Sequence, residues 1–432
     1  MTEHREIIKF AIDELVRLGA EKAQCQLIAS DKYVFRQETG RIAMLRTIRN
    51  TSLTLSALCD NRLARITINR IGKTEISDAS AKLVASAATL PQDAAQNIAE
   101  TQPAEIFDNG LAVPDLKGMY TLVAELIAQT GRRYPTLSFH NISFDFTRET
   151  KSVINTNGVD LSSGFGKYSL TIPFNARKDK KVSASNYILL ALKDLHEPLN
   201  ENPVADELLR QGVDQVNAKP VNGNFTGDII IHPYALDDFI YYLALIALKD
   251  APLLEGNSVY QDKLGKQIAD KRLSLHSRPA ASELADGYFI TADGYKAQNV
   301  ALIDRGILKT FLLSRYGATK TGFIHSRNDG NCYVADAGET SLADMIKSVK
   351  KGVLLTRFSC ATPNRNGDFS GAVKQGCYIE DGELKYPISE TMISGNIPQM
   401  LMNINAISRE RINNGSNLYP WISCSVINIS GQ

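Results

Sequence analysis

The chain has 432 residues, 44% of them apolar and 22% charged, which is the composition of an ordinary globular protein and excludes a disordered one. Its 48 Lys+Arg balance 47 Asp+Glu for a net charge of +1. That balance supplies no long-range field for direct nucleic-acid binding or for an anionic membrane. The length exceeds one ordinary core and predicts two domains.

The chain opens on Ile8, Ile12, Leu15 and Leu18 at helical spacing, with Gly19 as the C-terminal cap. This amphipathic start differs from the unbroken apolar run of a secretory leader, so a cytoplasmic protein is expected. Strand alternation follows, apolar Ala23, Cys25, Leu27 and Ala29 against polar Gln24 and Gln26. A second strand run covers Tyr33 to Arg49 with a break at Thr39-Gly40. A third, Leu53 to Ala57, turns at Asp60-Asn61 into Ala64 to Ile68. Consecutive strands with tight turns predict a mainly antiparallel sheet. Ser77 or Asp78 is the expected cap of a helix reaching Leu90, and Pro91 to Leu116 reads as a surface loop. Met119 to Thr130 is helical, and strands at Leu137 to Phe146 and Tyr168 to Phe174 flank an Asn155-Thr156-Asn157-Gly158 turn. A further helix runs from Pro203 to about Val216, and the Pro- and Gly-bearing stretch Asn217 to Gly227 is taken as the domain boundary.

The second half begins with the strand Asp228 to Ile231 and a helix from Pro233. The longest apolar run, Phe239 to Leu248, is half of the roughly 20 residues a membrane-spanning helix needs and reads as a buried helix. From Tyr288 onward come short strands between Gly and Asn turns, including Gln298 to Ile303, Gly306 to Leu313 and Gly376 to Pro387. The reading is α+β. An N-terminal α/β domain (1–220) carries a mainly antiparallel sheet with helices, and a β-rich, barrel-like C-terminal domain (221–432) carries further helices.

Catalytic signatures are few. A phosphate loop and a GxSxG elbow are both missing, and six cysteines without a CxxC pair read as reduced, packed thiols, Cys360 and Cys377 among them. The one suggestive spot is His232, which leaves an apolar strand and enters a helix, with Asp237 five residues on. On a regular helix that separation is about 500° of rotation, so the two do not share a face. Two histidines at zincin spacing with a glutamate between them are missing, and His232 followed by Asp237 and Asp238 also suits a plain helix start.

Several segments in fixed order resemble the TldD/TldE (PmbA) family, once called modulators of DNA gyrase and now viewed as peptidases. They are Asn155-Thr156-Asn157-Gly158, Lys263 to Ala269, Gly306 to Leu313, Asn366-Gly367-Asp368-Phe369-Ser370, Tyr378 to Glu383, Tyr386 to Glu390 and Ile393-Ser394-Gly395-Asn396. In that family the TldD type carries HExxxH and a C-terminal cysteine around zinc. Placed on that motif, this chain has His232 in the first histidine slot, Pro233 in the glutamate slot and Asp237 in the second histidine slot. Asn413 to Gly415 stand where the cysteine belongs. The resemblance is therefore to the TldE/PmbA type. It implies no cofactor in this chain, zinc in a TldD-like catalytic partner, and a role in cleaving unfolded or precursor peptides such as microcin-type substrates. Asp368, Ser370, Gly395 and Asn396 are the implied peptide contacts. Two other readings stand beside it: an independent homodimeric metallopeptidase using His232 and Asp237, and a non-enzymatic regulatory protein.

Overall fold

A computed structural model describes residues 2–38, 41–196, 199 and 203–432. Helix α1 (Thr2–Arg17) leads into the long strands β1 (Lys22–Glu38), β2 (Arg41–Cys59) and β3 (Arg62–Ile68), then α2 (Lys73–Ala87). After β4 (Glu105–Asn109) and α3 (Leu116–Arg133) come β5 (Leu137–Phe139), β6 (Ile142–Asn155), β7 (Asp160–Lys178), β8 (Lys181–Val182), β9 (Asn186–Leu192) and α4 (Pro203–Asp214). The first sheet runs β3-β2-β1-β6-β7-β4, with β5, β8 and β9 also on β7. All its pairs are antiparallel except β4 with β7. The alternation of β1 works as expected on one face, where Ala23, Cys25 and Leu27 bury against Ile8, Leu15, Ile76 and Leu83 of α1 and α2. On the opposite face Gln24 is buried as well and donates to the Asp293 carbonyl of the second half.

Three local expectations are corrected. Helix α2 starts at Lys73 with Gly72 as its cap, which offers no side-chain acceptor, so Ser77 and Asp78 lie inside the helix and Leu90 beyond it. The stretch 91–116 is no surface loop throughout. It holds β4, and Ala95, Ile98 and Ala99 are buried because the Gln24 and Asn155 side chains satisfy the backbone of Ala99. The Phe239 to Leu248 run is only partly buried, Tyr241 and Leu245 being exposed, and its last five residues form a π-helical turn, Ala244–Leu248. The expected Thr39-Gly40 break lies outside the described residues.

The second half opens with β10 (Asn224–Ile231), α5 (Pro233–Leu243), α6 (Asp250–Leu254), β11 (Leu275–Ser277), β12 (Val300–Asp304), β13 (Ile307–Leu308), α7 (Arg315–Thr321), β14 (Tyr333–Ala335) and α8 (Leu342–Ser348). It ends with β15 (Lys351–Cys360), β16 (Asp368–Glu380), β17 (Glu383–Pro387), β18 (Met392–Asn396), α9 (Ile397–Met402), β19 (Ile404–Asn413) and β20 (Leu418–Ser430). Strands β10, β15, β16, β18 and β20 pair in that order, and β10 pairs again with β20, which closes them into a small barrel. The apolar strand Ile229-Ile230-Ile231 serves two cores, as side chains of a strand must. Ile229 and Ile231 join the barrel core with Leu236, Phe239 and Leu243 of α5. Ile230 joins a cluster that reaches Phe144, Tyr168 and Leu208 of the first half. The chain is thus α+β and strand-rich, as its periodicities imply. Among the described residues no helix is long and apolar enough to cross a membrane.

Candidate functional site

His232 sits where β10 ends, as the N-cap of α5, with an extended backbone (φ −68°, ψ 146°) and Pro233 at the first helical position. Pro lacks an N–H, and the first helical N–H would be unpaired anyway, so the sequence His-Pro fits a helix start. The His232 side chain takes the capping role: Tyr234 N donates to Nδ1 at 3.1 Å. Its ring is wholly inaccessible and stands edge-on to Trp421, centroids 5.1 Å apart. Nε2 faces Glu207 Oε1 of α4 at 3.7 Å. That distance suits an ion pair and is too long for a hydrogen bond, and Nε2 has no hydrogen-bond partner among the described residues. Burial lowers the His232 pKa below its ordinary value, against the pull of Glu207. Burial alone would raise Glu207, but its contacts with His232, Arg210 and Gln211 outweigh that and hold it below the usual range.

Asp237 points elsewhere. Asn417 Nδ2 donates to its Oδ1 at 2.8 Å and Tyr419 Oη at 3.3 Å, which ties α5 to the start of β20. Burial raises its pKa, opposed by the Tyr419 hydrogen bond. Asp238, the next residue, is pushed up to about 6 by desolvation first and by Asp237 second, against Arg357. Its side chain is partly exposed, and solvent screening trims that rise. Among the described residues no hydrogen bond or ion pair joins His232 to Asp237.

The strongest charge in the neighbourhood escaped the sequence reading. Arg357 of β15 is buried, and its guanidinium stacks on Tyr187 at 3.7 Å and on Tyr234 at 4.8 Å from the ring centroids. One Nη donates to the Tyr187 carbonyl, and Nε has no partner among the described residues. Tyr187 and Arg357 are 170 residues apart, so no local pattern announces the stack.

Asp368, Ser370, Gly395 and Asn396 come together where β16 begins and β18 ends, with Asp368 opposite Asn396 and Phe369 opposite Gly395. Asn396 Nδ2 donates to Asp368 Oδ1 at 2.8 Å while its own oxygen caps α9. Asn364 Nδ2 donates to Asp368 Oδ2 at 2.9 Å. These hydrogen bonds, from Asn396 first, lower the Asp368 pKa. The Asp368–Asn396 pair is a turn lock, as Asn, Gly and Asp in such a loop favour.

The comparisons bear on this geometry. Residues 224–431 match the PmbA/TldA metallopeptidase C-terminal domain, from the first barrel strand to the last. This part of the chain belongs to the PmbA/TldD family. The chain is 27% identical over 252 residues to the metalloprotease PmbA homolog of Buchnera aphidicola, covering 55% of this chain and 53% of that one. It is 23% identical over 301 residues to the zinc metalloprotease TldD homolog of Saccharolobus solfataricus, covering 66% and 67%. The first of these matches thus spans about half the length of the relative. In fold it is similar over its full length to a modulator of DNA gyrase from Bacteroides thetaiotaomicron, TM-score 0.88 at 20% identity, all of both chains covered. TldE from Thermococcus kodakarensis gives a TM-score of 0.84 at 18% identity, over 99% of this chain and all of that one.

Zinc, which the TldD homolog's name carries, can be tested against the donors present. The segment in the cysteine slot does lie near Asp237, since Asn417 follows Asn413 to Gly415 in one turn. The residues after it, Asn417 and Tyr419, bring amide and phenol donors to the carboxylate instead of a thiolate. His232 has one ring nitrogen bound to a backbone N–H and the other turned toward Glu207 in the core. Zinc asks for at least three protein ligands. Among the described residues no cluster of three His, Cys, Asp or Glu is placed to hold a metal ion. His232 and Asp237 are turned to separate partners and do not converge on one point.

Proposed function

We propose that this chain is a TldE/PmbA-type subunit that shapes the peptide-holding cleft of a metallopeptidase and leaves the zinc chemistry to a TldD-like partner. The observation that carries the reading is the set of commitments already made by His232 and Asp237: helix cap and core packing for the first, Asn417 and Tyr419 for the second. A general base beside a metal-bound water is the other requirement of the reaction, and Pro233 stands in its place. The metalloprotease names of the relatives support a peptide substrate, and an unfolded one would bind in extended form. Of the polar side chains proposed to meet it, Ser370 is exposed, while Asp368 and Asn396 are held by each other.

The test is cleavage of an unfolded peptide by the purified chain alone and after mixing with a HExxxH-bearing TldD-type protein. Cleavage only in the mixture, with co-elution of the two proteins, is the expected result. Zinc-dependent cleavage by the chain alone that disappears in His232→Ala sinks the proposal and favours an independent homodimeric enzyme.

A further inference from the structure

A second site shares Glu207 with the surroundings of His232 and lies between α4 with the turn after it and the outer face of β15, β16 and β17. A cavity of about 540 Å³ opens there, a size suited to a small organic ligand. Its apolar wall includes Ile346, Leu354 and Tyr386.

The polar groups around it are left incomplete in a specific pattern. The Asn186 side chain fixes the first one. Tyr187 N donates to Asn186 Oδ1, so Asn186 Nδ2 is turned to Gln375 and donates to its Oε1. Gln375, only 3% exposed, is thereby left with an amide NH₂ that has no partner. Gln211 is the mirror case: its Nε2 donates to Glu207 at 2.9 Å, and its Oε1 has no partner. One spare donor and one spare acceptor thus belong to two glutamines that line the same cavity. Buried polar groups are seldom left so, and both atoms are shielded from bulk water. Rotation about the soft terminal torsion of a glutamine brings such a group to an incoming partner.

The mouth is also incomplete. Arg210 and Asp214, at i and i+4 on α4, both line it and both are exposed. Neither makes an ion pair among the described residues, although the spacing allows one between them. A cation that also pulls on Glu207, an anion, both outside any ion pair among the described residues, and a spare amide donor and acceptor beside an apolar wall are together complementary to one kind of molecule. It has an ammonium, a carboxylate and a peptide bond between them. We propose that this cavity binds a short zwitterionic peptide, with its carboxylate on Arg210, its ammonium on Asp214 and its amide between Gln211 and Gln375. The ligand class is read from these residues alone and stands whether or not the chain serves a metallopeptidase.

Calorimetric titration of the full chain with the dipeptide Ala-Leu tests this. Saturable binding near 1 mM is expected, on the order of −4 kcal/mol. N-acetyl-Ala-Leu-amide, which lacks both charges, should bind about tenfold more weakly, and so should Arg210→Ala and Asp214→Asn. Gln375→Leu should lose about fivefold. Should that buried variant misfold, the two exposed variants still decide the matter. No saturation up to about 10 mM overturns the proposal. So does unchanged affinity in Arg210→Ala, or an affinity lost in Ser370→Ala instead, which would put the peptide at the strand end proposed above.

Discussion

Replacing His232 by alanine separates a structural histidine from a metal ligand. The change removes the N-cap acceptor of α5, worth about 1 kcal/mol. It also removes a wholly buried ring packed on Trp421, whose aromatic contact adds about 1 kcal/mol, and leaves a cavity costing about 2 kcal/mol more. A loss of about 4 kcal/mol is expected, and His232→Asn, which keeps a capping oxygen, should restore about 1 kcal/mol of it. The readout is urea unfolding followed by the fluorescence of the chain's single tryptophan, which is the residue in contact. The pH dependence follows in sign. The His232 pKa is lowered in the folded state, so the unfolded chain takes up the proton first. Stability is then full above the ordinary histidine value of about 6.5 and falls as pH drops below it toward the folded value. The lowered Glu207 pKa acts in the same direction at more acid pH, and His232→Asn should flatten only the upper part of the fall. A loss under about 1 kcal/mol refutes the reasoning. So does a wild-type midpoint raised by zinc when that of the variant is not, since a ligand bound only by the folded chain at 100 times its Kd stabilises by about 2.7 kcal/mol.

Three other substitutions test other parts of the account. Asp238→Asn should stabilise the protein at pH 7 to 8 and leave it unchanged near pH 4, because a raised carboxyl pKa favours the folded state only while the group is protonated; thermal melts at the two pH values check this. Asn155 is buried and makes four hydrogen bonds, donating to Gln24 and the Ala99 carbonyl and accepting from Asn157 N and Val159 N. Asn155→Ala should cost about 3 kcal/mol in urea unfolding, and a loss below 1 kcal/mol would mean that water replaces those partners readily. Gly415 has φ +86° and no room for a Cβ beside the Ala191 carbonyl. Gly415→Ala should destabilise by more than about 1 kcal/mol and loosen the Ala191 N to Asn414 O bond between the halves, seen as faster proteolysis near both segments.

Local patterns carried much of the fold. The period of Ile8, Ile12 and Leu15 marks α1, Asp60-Asn61 with both residues at positive φ marks the β2–β3 hairpin, and the short strands after Tyr288 mark a β-rich half. What escaped was set by distant partners. Gly72 caps α2 without any side chain, so nothing in the local chemistry pointed to it. Residues 91–116 read as a surface loop from their Ala, Pro, Gln and Asp content, but the backbone of Ala99 and Glu100 is served by Gln24, Asn155 and Tyr295, which lie far off in the chain. The pairing of β10 with β20 closes the barrel between segments at opposite ends of the second half. No turn signal records that contact.

The candidate site was legible to the same degree. Its position was readable because a strand of Ile229, Ile230 and Ile231 followed by His-Pro dictates an abrupt entry into a helix, whatever the histidine does there. Its state was not, because that depends on residues brought in from elsewhere: Glu207 from α4, Asn417 and Tyr419 near β20, Trp421 behind the ring. The 500° separation of His232 and Asp237 expected from helix geometry is consistent with what these partners do. The histidine, outside the helix as its cap, turns into the core, and the aspartate turns toward Asn417. The hydrophobic pattern that builds the strand and helix makes no demand on either polar side chain, since Leu236, Phe239 and Leu243 hold α5 in the barrel core by themselves. A scaffold fixed by apolar packing can therefore keep its shape while its polar residues exchange metal ligation for capping and neutral hydrogen bonds. In such a case chemistry is read from the partners of each donor and not from the fold.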